Sequence, residues 1–305
     1  MRIVFMGTPD FAVPSLKILV ENGYNVVGVI TATDKWGGRG NKKLIQSAVK
    51  QYAEGVGIKV LQPKNLKAAD FQEELRSLQA DLQVVVAFRM LPESVWDMPP
   101  LGTFNLHGSI LPKFRGAAPI HWAVIRGERE TGVTTFFIRH EIDTGDVLLR
   151  KTLPIGPDET TGEVHDRMMV LGAEAVLETV QKIESKDYIL ETQDHQLATK
   201  APKLFSEMCE IDFNQPTDIV HNFIRGLSPY PAAWTNYQDV KLKIYRSARP
   251  ETGTILGEPG SLHTDQKSYL HIATQDGYIS VLDLQLQGRR PMSIQDFLNG
   301  FTFDI

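Results

Sequence analysis

The first twenty-three residues constrain the fold more than any other stretch of the chain. Arg2 to Met6 is an apolar run of strand length, and Gly7-Thr8-Pro9 breaks it. Phe11 to Val20 then carries apolar residues at helical spacing until Asn22-Gly23. Strand, turn, helix and glycine stop make a βα unit. A second strand is expected at Val26 to Ile30, and a helical segment around Phe71 to Leu78 leads to another apolar run, Leu82 to Ala87. This alternation predicts an α/β domain on a parallel sheet, with ligands gathering at the carboxyl ends of its strands. The first turn is not a dinucleotide fingerprint. Gly7 stands alone where Gly-x-Gly-x-x-Gly would be needed to bring backbone against a pyrophosphate.

Two loops stand out between elements: TDKWGGRGNKK, residues 33–43, and GSILPKFRG, residues 108–116. Val133 to Arg139 and Val147 to Leu153 read as strands. Thr160 and Glu163 have capping-box spacing, which introduces a helix running to about Ile183. That helix closes the first expected domain, residues 1–189. Periodicity then weakens through residues 190–205, an expected linker. Residues 206–305 follow with a helix at Ile219 to Arg225 and short strands at Lys241 to Tyr245, Tyr269 to Ala273 and Tyr278 to Leu286, the pattern of a small OB-like β-barrel.

Composition narrows the function classes. A single cysteine, Cys209, excludes an internal disulfide and a multi-cysteine zinc site. The opening reaches Asp10 too early for a signal peptide, and no apolar run nears the roughly 18 residues of a spanning helix. A cytoplasmic protein with no membrane partner is expected. Net charge is −5, and residues 206–305 hold 8 Lys plus Arg against 12 Asp plus Glu. A general electrostatic grip on nucleic acid is therefore not indicated, and RNA contact would have to come from local basic clusters.

The chemistry concentrates in TFNLHGSILPKFRGAAPIHWAVIRG, residues 103–127. A strand there puts Asn105 and His107 on one face, at its carboxyl end. EIDTGD, residues 141–146, is an expected turn from which Asp143 would approach His107 across the top of the sheet. A carboxylate beside an imidazole favours its charged form and fixes its orientation, while an amide can donate to a developing oxyanion. The trio suits acyl transfer without a covalent enzyme intermediate. Each residue also has a plainer reading: Asn105 as a strand-end cap, Asp143 or Asp146 as a turn cap. His121, His140 and His165 read as structural. His140-Glu141 lacks the His-Glu-x-x-His spacing, and no metal is expected.

NLHGSILPKFRGAAPIHWAVIRGERETGVT followed by IDTGD resembles the signature of the folate-dependent formyltransferase family. MGTPDFA at the start, GRGNKK in the early loop, LSPYPAAWT and GRRPMSIQDFLNGF resemble, in particular, its members that act on charged initiator tRNA. The resemblance spans both expected domains and implies a Rossmann-like catalytic domain followed by an OB-like tRNA-binding domain. It implies formyl transfer from 10-formyltetrahydrofolate, a co-substrate and not a tightly bound cofactor, to the amino group of initiator methionyl-tRNA, in a monomer needing no protein partner. Asn105, His107 and Asp143 would be catalytic. Ser109, Ile110, Leu111 and Pro112 would line the folate site, with backbone of Phe88, Arg89, Met90 and Leu91 holding the pterin. Where family members commonly have Tyr-Gly, this chain has Phe88-Arg89. Arg39, Lys42 and Lys43 of the early loop would reach the tRNA. Formylation of an amino-sugar nucleotide and hydrolysis of formyltetrahydrofolate are the alternative activities for the same trio.

Overall fold

The computed structural model describes residues 1–37, 43–250 and 257–304. The chain divides into two compact units. One comprises Met1–Gly116, Gly132–Leu153 and His165–Lys200, the other Ala117–Thr131, Pro154–Val164 and Ala201–Ile305. The units interleave along the sequence, where sequence reasoning draws a single cut through residues 190–205.

The strands of the first part of the chain are β1 (Arg2–Gly7), β2 (Asn25–Ile30), the paired β3 (Lys35–Gly37) and β4 (Lys43–Ile45), β5 (Val60–Leu61), β6 (Leu82–Val86), β7 (Thr103–His107), the two-residue β8 (Arg115–Gly116), β9 (Glu130–Phe137) and β10 (Val147–Pro154). Between them run α1 (Val13–Glu21), α2 (Ala48–Gly55), α3 (Ala69–Ser77), α4 (Glu93–Trp96) and α5 (Pro119–Ile125), and α6 (Thr161–Ser185) follows. Seven strands form one sheet in the order β10-β9-β7-β6-β1-β2-β5. Pairing is parallel from β5 through β7 and antiparallel between β7 and β9. Ile3 to Met6 and all of β6 are buried, which is why both read as continuous apolar runs and not as alternating ones.

Local chemistry explains the boundaries. The stretch expected to be helical from Phe11 opens as a 3-10 turn over Asp10–Ala12, and α1 begins at Val13 with Pro14 in its first turn. The Asn22 amide donates back to the Ile18 carbonyl at 2.7 Å and closes it. The capping box at the start of α6 is formed. Glu163 Oε2 accepts from the Thr160 N–H at 2.8 Å and its hydroxyl at 2.7 Å. Burial works upward on the Glu163 carboxyl, but those two bonds and Arg246 outweigh it and hold its pKa below the usual range. Gly172 lets α6 come close to β7, since a Cβ there would lie 2.8 Å from Leu106.

The second unit is organised by a six-stranded sheet. After β11 (Lys200–Ala201) come α7 (Thr217–Leu227), β12 (Ala233–Tyr237), β13 (Val240–Ala248), β14 (Leu262–Thr264), β15 (Leu270–Ala273), β16 (Tyr278–Leu286), β17 (Met292–Ser293) and α8 (Ile294–Leu298). The order is β12-β13-β16-β15-β14, with β17 on β16 and every pair antiparallel. Register shifts near Arg246 bend β13, in keeping with the curled, barrel-like sheet expected. Val220, Ile224 and Leu227 give α7 a buried stripe in a core with Leu242, Ile244 and Ile279. The segment 117–131 belongs here because α5 packs on α7. Gly226 permits this, as a Cβ there would meet Ile125 at 2.5 Å.

Candidate active site

β7 carries Asn105 and His107 two residues apart, so both side chains leave one face. Pairing of Asn105 with Val85 and Phe136, and of His107 with Thr134, sets their height. His107 is buried, and its Nε2 lies 2.9 Å from the Phe114 carbonyl oxygen. A carbonyl only accepts, so Nε2 carries a proton and Nδ1 is the nitrogen turned toward Asp143, whose Oδ2 is 3.8 Å away. That separation is longer than a hydrogen bond. The same Oδ2 accepts the Gly116 N–H at 2.9 Å. The half-buried Asn105 amide makes no hydrogen bond among the described residues.

Asp143 reaches His107 by a route the sequence did not suggest. β9 runs antiparallel to β7, passes His107 at Thr134 and leaves at the far end, where the Ile138 N–H bonds the Thr103 carbonyl at 2.8 Å. The connection 138–146 therefore folds back toward His107. It does so through a positive φ of 56° at Asp143, a conformation that aspartate tolerates better than most residues. Gly145 sits where a Cβ would fall 1.6 Å from the Phe137 carbonyl oxygen, so only glycine fits. Ala87 and Phe114, in the loops after β6 and β7, also have positive φ, 47° and 59°. Non-glycine backbone of this kind concentrates where surrounding structure holds it for a purpose.

The fold-back is clamped by residues that sequence reasoning missed. Gln193, almost fully buried, donates its amide to the carbonyls of Asp143 at 3.0 Å and Gly145 at 2.8 Å. Arg115 binds the other end of that amide, at 3.1 Å through Nε and 2.6 Å through Nη2. The Phe114 N–H donates to the Thr199 hydroxyl at 2.8 Å. Asp146 is paired with Arg139 and accepts from Thr192. Arg150 bonds Glu191 and holds that carboxyl below its usual range. Residues 191–199, expected as linker, thus support the site. Main-chain partners leave no sequence signature, which is why Gln193 and Thr199 escaped notice; Arg115 stands inside the motif and was visible only as part of it.

The other expected site residues fall into two groups. Ser109 and Leu111 are buried, Ile110 and Pro112 half-buried. Ser109 donates to the Lys113 carbonyl at 2.6 Å, Leu111 N–H to the Thr134 hydroxyl at 3.0 Å, and the Leu111 carbonyl accepts from Arg150 at 3.0 Å. Hydrogen bonds within the protein thus hold this turn at three points. Leu91 is buried, Met90 exposed, and Phe88 packs on the core beneath. Arg89 bonds the carbonyls of Pro63 and Lys64, so its charge ties two loops together.

Of the early loop, Lys43 is exposed on β4, and Arg39 and Lys42 lie outside the described residues. Trp36 on β3 is 66% exposed and so does not pack into the domain. The stem below is held by Lys50, which bonds Asp34 at 2.6 Å and Gln62 at 3.0 Å, while Gln62 donates to Asp34 and to the Ala32 carbonyl. Those bonds lower the Asp34 pKa and raise that of Lys50. His121 bonds the Tyr230 carbonyl at 3.0 Å, His140 pairs with Glu93 at 3.0 Å, and His165 lies against Phe11. No group of three or more His, Cys, Asp or Glu among the described residues could hold a metal ion. No described helix is long and apolar enough to cross a membrane.

Residues 1–180 match the family model described as formyl transferase, and residues 203–302 match the model for the formyl transferase C-terminal domain. The methionyl-tRNA formyltransferase of Parabacteroides distasonis is 55% identical, over 99% of this chain and 96% of that protein. That of Bacteroides fragilis is 52% identical over 99% and 95%. Among solved structures, the N-formyltransferase of Helicobacter canadensis in complex with folinic acid and dTDP-3-aminofucose superposes with a TM-score of 0.69 at 21% identity, covering 92% of this chain and 97% of that one. At that identity the likeness establishes the fold alone. The two family models and the full-length relatives leave one assignment: this chain belongs to the formyl transferase family.

Proposed function

We propose that the protein transfers the formyl group of 10-formyltetrahydrofolate to the amino group of initiator methionyl-tRNA. The observation that carries this reading is the identity, over nearly the whole of both chains, with proteins named methionyl-tRNA formyltransferase. The His107–Asp143 contact and the uncommitted Asn105 amide supply the chemistry. The unprotonated amine of the aminoacyl ester attacks the formyl carbon. Asn105 is the donor free to meet the resulting oxyanion. His107 joins it by exchanging its Nε2–H bond to Phe114 for one to the substrate, each such donor being worth about 2.7–4 kcal/mol in comparable holes. Asp143 orients the imidazole and assists removal of the amine proton. The departing tetrahydrofolate nitrogen takes a proton.

On this reading the pterin rests against the backbone of Phe88, Arg89, Met90 and Leu91, and the folate against Ser109, Ile110, Leu111 and Pro112. Arg39, Lys42 and Lys43 contact the tRNA, and residues 206–305 bind the rest of it. The test is incubation with 10-formyltetrahydrofolate and methionyl-tRNA, initiator against elongator, following formyl-methionine in wild type and His107→Ala. Formylation selective for initiator and lost in the variant is the expected result. Folate turnover without formyl-methionine overturns it.

A further inference from the structure

The loop after β6 and the stem of the early loop are joined through a third segment, and all three lie in the first unit. The excursion that leaves β2 and returns at α2 is closed where the Thr31 and Ser47 hydroxyls meet at 2.7 Å. Beyond that closure stands Asp34, whose carboxylate takes the buried Lys50 ammonium at 2.6 Å and the Gln62 amide at 2.8 Å. Gln62 follows directly on β5 and uses both ends of its amide. Nε2 donates also to the Ala32 carbonyl at 2.6 Å, and Oε1 accepts from Lys50 at 3.0 Å. The next two residues, Pro63 and Lys64, present their carbonyls to Arg89, whose Nη1 reaches Lys64 at 3.0 Å and whose Nη2 reaches Pro63. Arg89 in turn follows Phe88 and the positive-φ Ala87.

The Arg89 link depends on residue type. A guanidinium offers its nitrogens in a fixed fork and so holds two successive carbonyls, where an ammonium is a single point charge. Glycine, common at this position in the family, has no side chain to make the tie. Arg89 forms no ion pair among the described residues, so its bonds go to neutral main chain and serve to hold position. We propose that Arg89 is a positioning residue that couples the folate-holding loop, through Pro63, Lys64 and Gln62, to the stem of the tRNA-contacting loop, so that each substrate binds more tightly when the other is present. This rests on the formylation reading, which puts folate against residues 88–91 and tRNA on the early loop. A ligand that orders one end of a hydrogen-bonded chain lessens the entropy lost when the other end is ordered, and such coupling is reciprocal.

The test is hydrogen exchange at the backbone amides of residues 32–37 and 43–45 in the full-length protein, with and without saturating 5-formyltetrahydrofolate. The Kd for initiator methionyl-tRNA is measured under the same two conditions. In wild type the folate is expected to slow exchange in the stem and to lower that Kd about fivefold or more. Arg89→Met is an exposed change, and Gln62→Leu cuts the same chain one link further on. Each is expected to bind folate and to lose both effects, and the double variant to lose no more than either alone. Arg89→Lys keeps the charge without the fork and is expected to behave as Arg89→Met. If it instead restores wild-type coupling, Arg89 acts by attracting anionic substrates and the proposal falls. Folate binding by wild type that leaves the stem's exchange or the tRNA Kd unmoved overturns the proposal while the formylation reading stands. No folate binding by wild type overturns both.

Discussion

Each unit buries a histidine beside a carboxylate, and the two pairs are built to opposite ends. His221, on α7, is 1% exposed. Its Nδ1 lies 3.0 Å from the Ser247 hydroxyl, and its Nε2 lies 3.2 Å from Asp158 without the alignment of a hydrogen bond. Arg225 bonds the carbonyls of Gly156 and Glu159, and Arg249 bonds Asp158 and Asp218. Ser247, Arg225, Arg249 and Asp158 around His221 are thus all engaged with protein groups, and only its own Nε2 is left without a hydrogen bond among the described residues. His107 has the same ingredients, but beside it stands an Asn105 amide with no partner among the described residues, and its own loops hold strained backbone at Phe114 and Asp143. A histidine–carboxylate pair is therefore no mark of a site by itself. The mark is a second side chain beside the imidazole, the Asn105 amide, whose donor is unspent among the described residues.

The sharpest way to break that comparison is to remove each imidazole. His107→Ala is expected to lower kcat for formyl transfer by about 10²–10³, the cost of one oxyanion donor, with little change in melting temperature. His221→Ala is expected to do the reverse, losing about 1–3 kcal/mol of stability as a buried network is opened. Formylation would stay within twofold under conditions where the protein is folded. Steady-state kinetics and denaturant unfolding on both variants decide it. Equal loss of activity in the two would show that the contrast in their surroundings carries no functional meaning.

A smaller effect is expected from the fold-back that brings Asp143 to His107. Gly145→Ala drives a Cβ into the Phe137 carbonyl. The turn has to shift, at about 1–3 kcal/mol of stability, and Asp143 shifts with it, so kcat falls as well. Gln193→Ala removes the clamp without a clash. Two carbonyls lose their buried donor, and a loss near the lower end of that range is expected. If Gln193→Ala is silent in both unfolding and turnover, the turn is held by its own backbone and not by residues 191–199.

These residues also mark how far the sequence could be read. The strand that carries Asn105 and His107, and the pairing of His107 with a carboxylate from EIDTGD, follow from period-two alternation and a turn-rich hexapeptide, both local signals. What was hidden is non-local. The antiparallel run of β9, which forces the fold-back, depends on pairing with a strand far away in the sequence, Phe104 with Phe137 and His107 with Thr134. Gln193 and Thr199 act on the site through main-chain carbonyls and an N–H, which any residue type supplies. The place of α5 in the second unit rests on Gly226, an inconspicuous residue until Ile125 is seen 2.5 Å from where its Cβ would be. β12 and β14 are short and mixed in composition, so tertiary pairing and not propensity makes them strands.

The smallest expected effect is the pH dependence that His221 gives to stability. Burial, first, and then the charges of Arg249 and Arg225 push the His221 pKa down, against the pull of Asp158 upward. In the unfolded chain the same imidazole titrates near 6.5. Below that pH the unfolded state takes up a proton that the folded state resists, so the unfolded state binds more protons and stability falls as pH drops. The loss begins near 6.5 and continues toward the lowered folded value, with a slope of at most about 1.4 kcal/mol per pH unit for one proton. Above 6.5 both states are neutral at this position and His221 contributes no slope. His221→Asn keeps a polar group of similar reach to Ser247 but cannot titrate. Unfolding free energy measured between about pH 5 and 7.5 is expected to flatten in that variant, and its difference from wild type should shrink as the pH is lowered. If the wild-type slope survives the substitution unchanged, the proton taken up on acid unfolding belongs to another group, and His221 is as indifferent to pH as the residues around it.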